Sequence, residues 1–308
     1  MVKTLNRTLD EGIIDFAEHL RKRPISDNTR KAFLGDVRIF AHFMQPEQFT
    51  ATRGKLALVD IKAEDIKAFL GSQERSGIAA SPKSIERRLT SLKVFFKWLY
   101  EVGYLATDIG DGVAYKPFMD PLPEYLSERE VTSVVQAARV VASGERLEHR
   151  PLTAIMIVLE TGIKKAECLA LTLENIERDE NNNASILIHY ESQKLQFKDR
   201  RLPLTSECYE VIQSHVQRYE TKDSLFDCTG RNLEYIFNRK VAVLSGLPAL
   251  TFEMLRWTCA VRDYRAGALD SEQLQMKYGL SAIGWMEMEA KLARLTQPVY
   301  ALASDAND

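Results

Sequence analysis

The chain has 308 residues, 45% of them hydrophobic, which is enough for two ordinary domains that each bury a core. Its formal net charge of −2 argues against a general nucleic-acid-binding protein, because such proteins usually carry a basic excess that neutralises phosphates. No apolar run is long enough to span a bilayer, and the N-terminal residues lack the apolar core of a signal peptide. We therefore expect a globular, cytoplasmic protein with no membrane partner.

The charge is unevenly distributed along the chain. Residues 1–116 carry 19 Lys and Arg against 15 Asp and Glu, whereas the remainder carries 22 against 28. If the protein binds DNA, we expect the N-terminal part to supply most of the electrostatic attraction.

The cysteines are dispersed singly, with no Cys-x-x-Cys pair and no histidine cluster beside them. This pattern indicates neither a zinc site nor a disulfide framework, so we expect no metal and no cofactor. The expected reduced core cysteines are Cys168, Cys208, Cys228 and Cys259.

Apolar residues at helical spacing predict a four-helix bundle in the first part of the chain. Ser26 and Ser81 stand where N-caps are expected for the second and fourth helices. The predicted helices cover residues 8–23, 29–43, 62–75 and 81–100. In the second and fourth helices, basic residues lie away from the apolar stripe, which gives each helix a basic side. The basic residues singled out are Arg30, Arg87, Arg88 and Lys93.

Residues 116–123 contain three prolines and cannot continue a helix, so we place a linker at 116–124 between domains 1–115 and 125–308. The second domain is predicted to begin with a helix that has Ser127 as its N-cap and Glu130 at the capping-box position.

The second domain is predicted to be mainly helical, with one β-hairpin. Residues 184–190 and 201–204 form the strands, and the polar turn between them holds Lys194 and Lys198. Helices are expected at 152–160, 164–171, after 209, at 270–279 and at 285–295. A further helix follows Pro248 and presents Glu253 and Arg256 on one face, where they can meet a phosphate.

Residues 250–258, Leu-Thr-Phe-Glu-Met-Leu-Arg-Trp-Thr, resemble the second catalytic box of the tyrosine recombinases, or phage-type integrases, which reads roughly Leu-Thr-x-His-x-Leu-Arg-His-Thr. Residues 161–171 resemble their first box, Thr-Gly-Leu-Arg-x-x-Glu-x-x-x-Leu, with Lys164 in place of the arginine. The fourth helix of the bundle resembles a helix of the family's core-binding domain. The resemblance extends from about residue 8 to residue 295.

This resemblance implies a mainly α fold with the two-domain, Xer-type architecture. An N-terminal four-helix core-binding domain, SAM-like in fold, would clamp DNA, and a C-terminal integrase-type catalytic-fold domain would contain a small antiparallel β-sheet. The implied partner is double-stranded DNA. The residues assigned to DNA contact are Arg30, Arg87, Arg88, Lys93 and Arg256.

The family cleaves DNA with two arginines, a lysine, histidines and a tyrosine nucleophile. By the resemblance, Arg256 is the second arginine, and Lys194 is the first candidate for the lysine, with Lys198 as the second candidate. Lys164 keeps the charge of the first arginine but not its planar fork, so a bidentate grip on phosphate is lost.

Several positions depart from the family pattern. Glu253 replaces the first histidine, and Leu280 replaces the second in the third box, read here as residues 278–280. The family spacing then places Glu289 at the nucleophile position, whereas an alternative register with Trp285 as the supporting residue places Arg294 there. Tyr300 is the only tyrosine after Leu280, and it lies 44 residues after Arg256, roughly three helical turns later than expected.

Three hypotheses follow from this pattern. The leading one is a DNA-binding protein whose catalytic apparatus has degenerated and which acts as an accessory or structural factor in recombination or integration. The second is an active recombinase that uses Tyr300, Arg256, Lys164 and Lys194. The third is a protein-interaction module that no longer binds DNA. A homo-oligomer formed through the C-terminal tail, or a catalytically competent recombinase partner, is expected in a nucleoid-associated setting.

Overall fold

The computed structural model describes residues 7–45, 56–75, 80–116, 120–144 and 148–297. The chain divides into two compact units, Met1–Pro121 and Leu122–Asp308, and this boundary falls inside the segment 116–124. Residues 117–119 of that segment lie outside the described part. None of the described helices is long and apolar enough to cross a membrane.

The described part of the first unit contains four α-helices. They are α1 (Leu9–Arg21), α2 (Asp27–Met44), α3 (Ala63–Arg75) and α4 (Pro82–Glu101), with a short 3-10 helix at Leu58–Asp60. Ser26 and Ser81 cap α2 and α4 as predicted, since each hydroxyl accepts a hydrogen bond from the third residue of its helix. The first helix begins with a capping box between Thr8 and Glu11.

Aromatic rings form the centre of the first unit. Phe40 packs edge-on against Phe69 of α3 and Phe96 of α4, with ring centroids 5.5 and 5.8 Å apart. Phe16 meets Phe95 in the same way at 5.1 Å. All five rings are fully buried, and such edge-to-face pairs add about 0.5–1.5 kcal/mol each beyond the burial of their area.

The second unit is also mainly helical. Its helices are α5 (Glu128–Ser143), α6 (Arg150–Thr161), α7 (Lys165–Leu169), α8 (Ser206–Tyr219), α9 (Gly230–Ile236), α10 (Val243–Ser245), α11 (Phe252–Ala266), α12 (Ser271–Lys277) and α13 (Ala282–Thr296). The predicted capping box between Ser127 and Glu130 is present at the start of α5. Between α9 and α10 the chain forms a π-helix, Phe237–Ala242, which the sequence pattern did not predict.

Helix α6 is the central element of the second unit. It contacts α5, α8 and α11, and most of its residues are buried, as expected for a helix that is apolar on every side. It ends at Gly162, which has a φ of 63° and so adopts the left-handed conformation that favours glycine. Around α6, Cys168, Cys208 and Cys259 are buried and free.

The sheet has three antiparallel strands in the order β1 (Ile176–Arg178), β2 (Ala184–Ile188) and β3 (Arg200–Leu204). In the register, Ile186 pairs with Ile176 on one side and with Leu202 on the other. The predicted hairpin is present as β2 and β3. In addition, β1 pairs with β2 as a third strand, and the connection between β2 and β3 contains a 3-10 helix, Gln193–Lys198. The expected class, mainly α with a small antiparallel sheet, is confirmed.

Candidate functional site

Arg256 lies at the buried centre of the second unit. Thr251 caps α11 by accepting a hydrogen bond from the Met254 N–H. The Arg256 guanidinium donates hydrogen bonds to the main-chain oxygens of Gly162 and of Tyr278, the second at 3.1 Å. Only 6% of Arg256 is exposed, so these carbonyls stabilise a charge that is almost removed from water.

Lys164 lies in the loop after α6 and contacts the same segment of chain as Arg256. Its Nζ donates a hydrogen bond to the main-chain oxygen of Gly279 at 3.3 Å. Burial lowers the pKa of Lys164 to about 8, and the positive charges of Arg256, Lys198 and Arg200 act in the same direction, while Glu167 opposes them. Lys164 and Arg256 thus bind the consecutive carbonyls of residues 279 and 278.

A buried ion pair supports these two cations. Arg200 donates to both carboxylate oxygens of Glu167, at 3.1 and 2.9 Å, and the Tyr190 hydroxyl donates to the same carboxylate at 2.5 Å. Burial alone would raise the pKa of Glu167, but Arg200, Tyr190 and the Lys164 N–H bring it to about 2. Glu167 is therefore ionised throughout the physiological range.

We call Lys164, Lys198, Arg200 and Arg256, together with Glu167, the cationic centre. Its four cations outnumber the buried Glu167 carboxylate and the exposed Glu253 carboxylate, which also acts on Arg256. Such an excess of positive charge, partly screened from water, is suited to binding an anion such as a phosphodiester.

The two lysines of the hairpin occupy different positions. Lys194, the first candidate from the sequence, is exposed and makes no hydrogen bond or ion pair within the described part of the chain. Lys198, the second candidate, is half-buried, and its charge acts on Lys164. Of the two, it is Lys198 that belongs to the cationic centre.

The residues at the altered box positions have partners of their own. Glu253 is exposed at the start of α11, and its carboxylate accepts a hydrogen bond from the Trp257 indole at 2.8 Å. Leu280 is half-buried and packs against the apolar cluster of α11 to α13. Glu289 on α13 accepts a hydrogen bond from the Ser271 hydroxyl at 2.8 Å. Tyr300 lies outside the described residues.

The third box is held by a buried tyrosine. Tyr278 is fully buried, its ring centroid lies 5.2 Å from Cζ of Arg256, and its hydroxyl donates to Asp263. Burial raises the pKa of Tyr278 far above its usual value, so the phenol stays neutral. Gly279 has a φ of 56°. A Cβ at this position would lie 2.7 Å from the Arg200 guanidinium, so the close approach of Arg200 favours glycine here.

In the first unit, the predicted DNA contacts include residues engaged within the protein. Asp36 is 2% exposed and accepts hydrogen bonds from Arg87 and Ser91, and Arg88 lies beside it. Arg87 remains 48% exposed, but Arg88 is only 17% exposed. Arg88 is half-buried, because the buried carboxylate of Asp36 and the amide of Gln73 hold its side chain, and its assignment to DNA contact stays a prediction.

The other two predicted contacts of this unit are only partly exposed. Arg30 is 27% exposed and pairs with Asp27 at 2.7 Å. Lys93 is half-buried, and its Nζ lies 4.8 Å from the ring centroid of Tyr115. Such a cation–π contact leaves the ammonium charged and able to meet an additional anion.

Two members of the cationic centre are not among the residues predicted from the sequence. Glu167 stands at the glutamate of the first box, and that motif position is the signal that points to it. Arg200 has no comparable signal, because its partner Glu167 lies 33 residues away along the chain.

Comparisons with known proteins cover both units. The N-terminal SAM-like domain of phage integrases matches residues 13–103, and the phage integrase family model matches residues 124–284. Tyrosine recombinase XerD of Pasteurella multocida is 26% identical over 155 residues, which cover 50% of this chain and 48% of that protein. Tyrosine recombinase XerC of Lacticaseibacillus casei is 25% identical over 206 residues, or 67% and 63%. The chain thus aligns with about half to just under two thirds of the length of these relatives.

Solved structures show the same fold at lower identity. A lambda integrase dimer bound to a COC' core site matches with a TM-score of 0.72 and 15% identity, over 95% of this chain and 79% of that chain. XerH recombinase bound to a palindromic difH substrate matches with a TM-score of 0.69 and 15% identity, over 100% and 99%. Because the family model spans more than half of the chain, the protein belongs to the phage integrase family of tyrosine recombinases.

Proposed function

We propose that this chain binds double-stranded DNA in the manner of a tyrosine recombinase, lacks competent strand cleavage, and serves as an accessory or structural factor in DNA recombination or integration. The DNA-binding part of the proposal is supported by the cationic centre. There, Lys164 and Arg256 lie with two further cations and with the Glu167 carboxylate, whose charge is paired with Arg200. Phosphate oxygens are the ligands that such a cluster favours.

The loss of cleavage rests on the box positions. An ionised Glu253 repels a phosphodiester and has no proton to give to a leaving oxygen, and Leu280 has no donor at all. Glu289, at the nucleophile position, is held by Ser271. Because these groups act together on one transition state, losing several of them removes more than any one substitution would suggest.

The first unit is proposed to hold the DNA backbone through Arg87, Lys93 and Arg30, which keep exposed surface. Arg88 would support this face indirectly by stabilising Asp36. The relatives include a dimer and a tetramer on DNA. By analogy, we propose assembly either with copies of this chain through the C-terminal tail or with a competent recombinase, in the nucleoid of the cytoplasm.

The test uses purified protein and nicked, half-site-sized duplexes taken from the neighbourhood of its own gene. Each mixture is scored for a gel shift and for a denaturant-resistant adduct. A shift without an adduct supports the proposal. An adduct in the parent that disappears in Tyr300→Phe would establish the active-recombinase alternative instead, and no shift at low salt would favour the protein-interaction module.

A further inference from the structure

Phe197 is an exposed aromatic residue beside the cationic centre. It lies in the 3-10 helix between β2 and β3, and 60% of it is exposed. An exposed phenylalanine ring forfeits the favourable free energy that burying it would give. An aromatic ring in this position is therefore suited to a partner that covers it.

The charges around the ring indicate an anionic partner. Lys198 Nζ lies 5.3 Å from the centroid of the Phe197 ring and 5.9 Å from that of Tyr190. Lys194 lies in the same 3-10 helix, three residues before Phe197, and is exposed and unpaired among the described residues. Aromatic rings interleaved with lysines are typical of surfaces that bind unpaired nucleic-acid strands.

Two of the nearby acidic groups, Asp199 and Glu160, are already engaged. Asp199 accepts a hydrogen bond from the Tyr190 N–H at 2.9 Å and pairs with His189 Nδ1 at 2.6 Å. Glu160 accepts from Thr205, and Glu191 is exposed. The segment from residue 189 to residue 201 carries four Lys and Arg against two acids, so its net charge favours a polyanion.

The chain holds this ring close to the place where a phosphate would bind. The main-chain oxygen of Lys198 accepts a hydrogen bond from Arg200 at 2.9 Å, and Arg200 pairs with Glu167, which binds the Lys164 N–H at 2.7 Å. A cavity of about 470 Å³ opens beside the ring, lined by Phe197, Arg200, Met276 and Lys277 among others. This cavity has room for a nucleobase that has left the base stack of the duplex.

We propose that Phe197 stacks on a nucleobase displaced from the duplex beside the cationic centre, while Lys194 and Lys198 contact the flanking phosphates. The chain would thereby prefer nicked, gapped or otherwise unpaired DNA over intact duplex. This inference rests on the proposed DNA binding and adds selection of DNA structure to it. Because every base has a π face, the preference concerns structure and not sequence.

The test measures binding to a synthetic duplex and to the same duplex with a single-nucleotide gap, with 2-aminopurine opposite the gap as a reporter of unstacking. The variants are Phe197→Ala, Phe197→Leu and Phe197→Trp. Val140→Ala is the matched control, since Val140 is an equally exposed apolar residue, 57% exposed, on α5. Circular dichroism checks that each variant is folded.

We expect the parent, Val140→Ala and Phe197→Trp to bind the gapped DNA more tightly and to change the 2-aminopurine signal. Phe197→Ala and Phe197→Leu should lose at least about fivefold in affinity for gapped DNA and keep the affinity for intact duplex. Equal affinity of the parent for both DNAs, or an unaltered preference in Phe197→Ala, overturns the inference but not DNA binding.

Two other outcomes also count against the inference. If Phe197→Ala changes the sedimentation of the protein but leaves the gap preference unchanged, Phe197 is a protein contact. If the parent binds neither DNA at low salt, both the inference and the proposed function fail.

Discussion

Lys164 Nζ and the main-chain oxygen of Gly279 are joined by a hydrogen bond of 3.3 Å that ties the first box to the third. The bond holds a half-buried ammonium group beside Arg256. Burial and the neighbouring cations lower the pKa of Lys164 to about 8, so its charge is lost at a pH where an arginine would remain charged.

DNA affinity should therefore depend on pH in a way that the side chain at position 164 determines. We expect affinity to fall as the pH rises through about 8, because Lys164 then loses its proton and one phosphate contact. Lys164→Arg should abolish this fall. Fluorescence anisotropy at constant ionic strength measures the DNA affinity at each pH. Lys165→Arg is the control and should keep the pH dependence of the parent. An unchanged profile in Lys164→Arg would show that another group titrates.

Glu167→Gln should strongly destabilise the second unit. The substitution leaves the Arg200 guanidinium buried without the carboxylate that it pairs with, which typically costs about 3–5 kcal/mol. Urea unfolding measures the free energy. The control is Glu207→Gln, which breaks a surface pair with Arg139 and should cost no more than about 1 kcal/mol. Equal costs for both variants would contradict a structural role for the buried pair.

The same pair predicts the response to acid. The folded pKa of Glu167 is about 2, below its usual 4.5, so the folded state favours the ionised form. Its contribution to stability is fully present above pH 4.5 and is lost as the pH falls from there towards 2. In Glu167→Gln, stability measured by urea unfolding should vary less with pH across this interval than in the parent.

Gly162→Ala tests the junction between α6 and the third box. A Cβ here would clash with Cε1 of Tyr278, and the φ of 63° is unfavourable for alanine. We expect the substitution to lower the free energy of unfolding by about 1–2 kcal/mol through the backbone conformation and by roughly 1–3 kcal/mol more through the clash. Gly246→Ala isolates the first cost, since its φ is 73° and no atom lies within 4 Å of the added Cβ. Thermal unfolding compares the two variants.

The salt dependence of DNA binding tests the first unit. If Arg87 contacts a phosphate, Arg87→Ala should reduce the slope of log affinity against log salt by roughly 0.9. Lys22→Ala removes an equally charged but highly exposed side chain just after α1 and should leave the slope unchanged. Because Arg87 also hydrogen-bonds the buried Asp36, circular dichroism checks that Arg87→Ala is folded. Removing Arg88 as well would take a second cation from Asp36, so the single variant is the better probe.

Local signals in the sequence predicted most of the fold because they act over a few residues. The caps at Ser26, Ser81 and Ser127 begin helices where the pattern indicated. Apolar spacing along Arg150–Thr161 likewise predicted a helix, although the central position of that helix is set by its neighbours.

The site was harder to predict, because its contacts join distant parts of the chain. Arg256 binds Gly162 across 94 residues, and Arg87 binds Asp36 across 51. The box motifs predicted Lys164 and Arg256 as site residues. No spacing rule indicates that the charge of Lys198, and not that of Lys194, lowers the pKa of Lys164. Helical periodicity likewise placed Arg88 on a polar face, where tertiary packing against Asp36 encloses it.

The hydrogen-bond acceptors of Arg256 and Lys164 are main-chain oxygens, which no side-chain substitution removes. A backbone carbonyl is present whatever side chain its residue carries, so replacing proton donors or the nucleophile leaves these acceptors in place. Cleavage can therefore disappear one substitution at a time while the grip on an anion persists. A chain with this arrangement can pass from cutting a polymer to merely holding it without first unfolding.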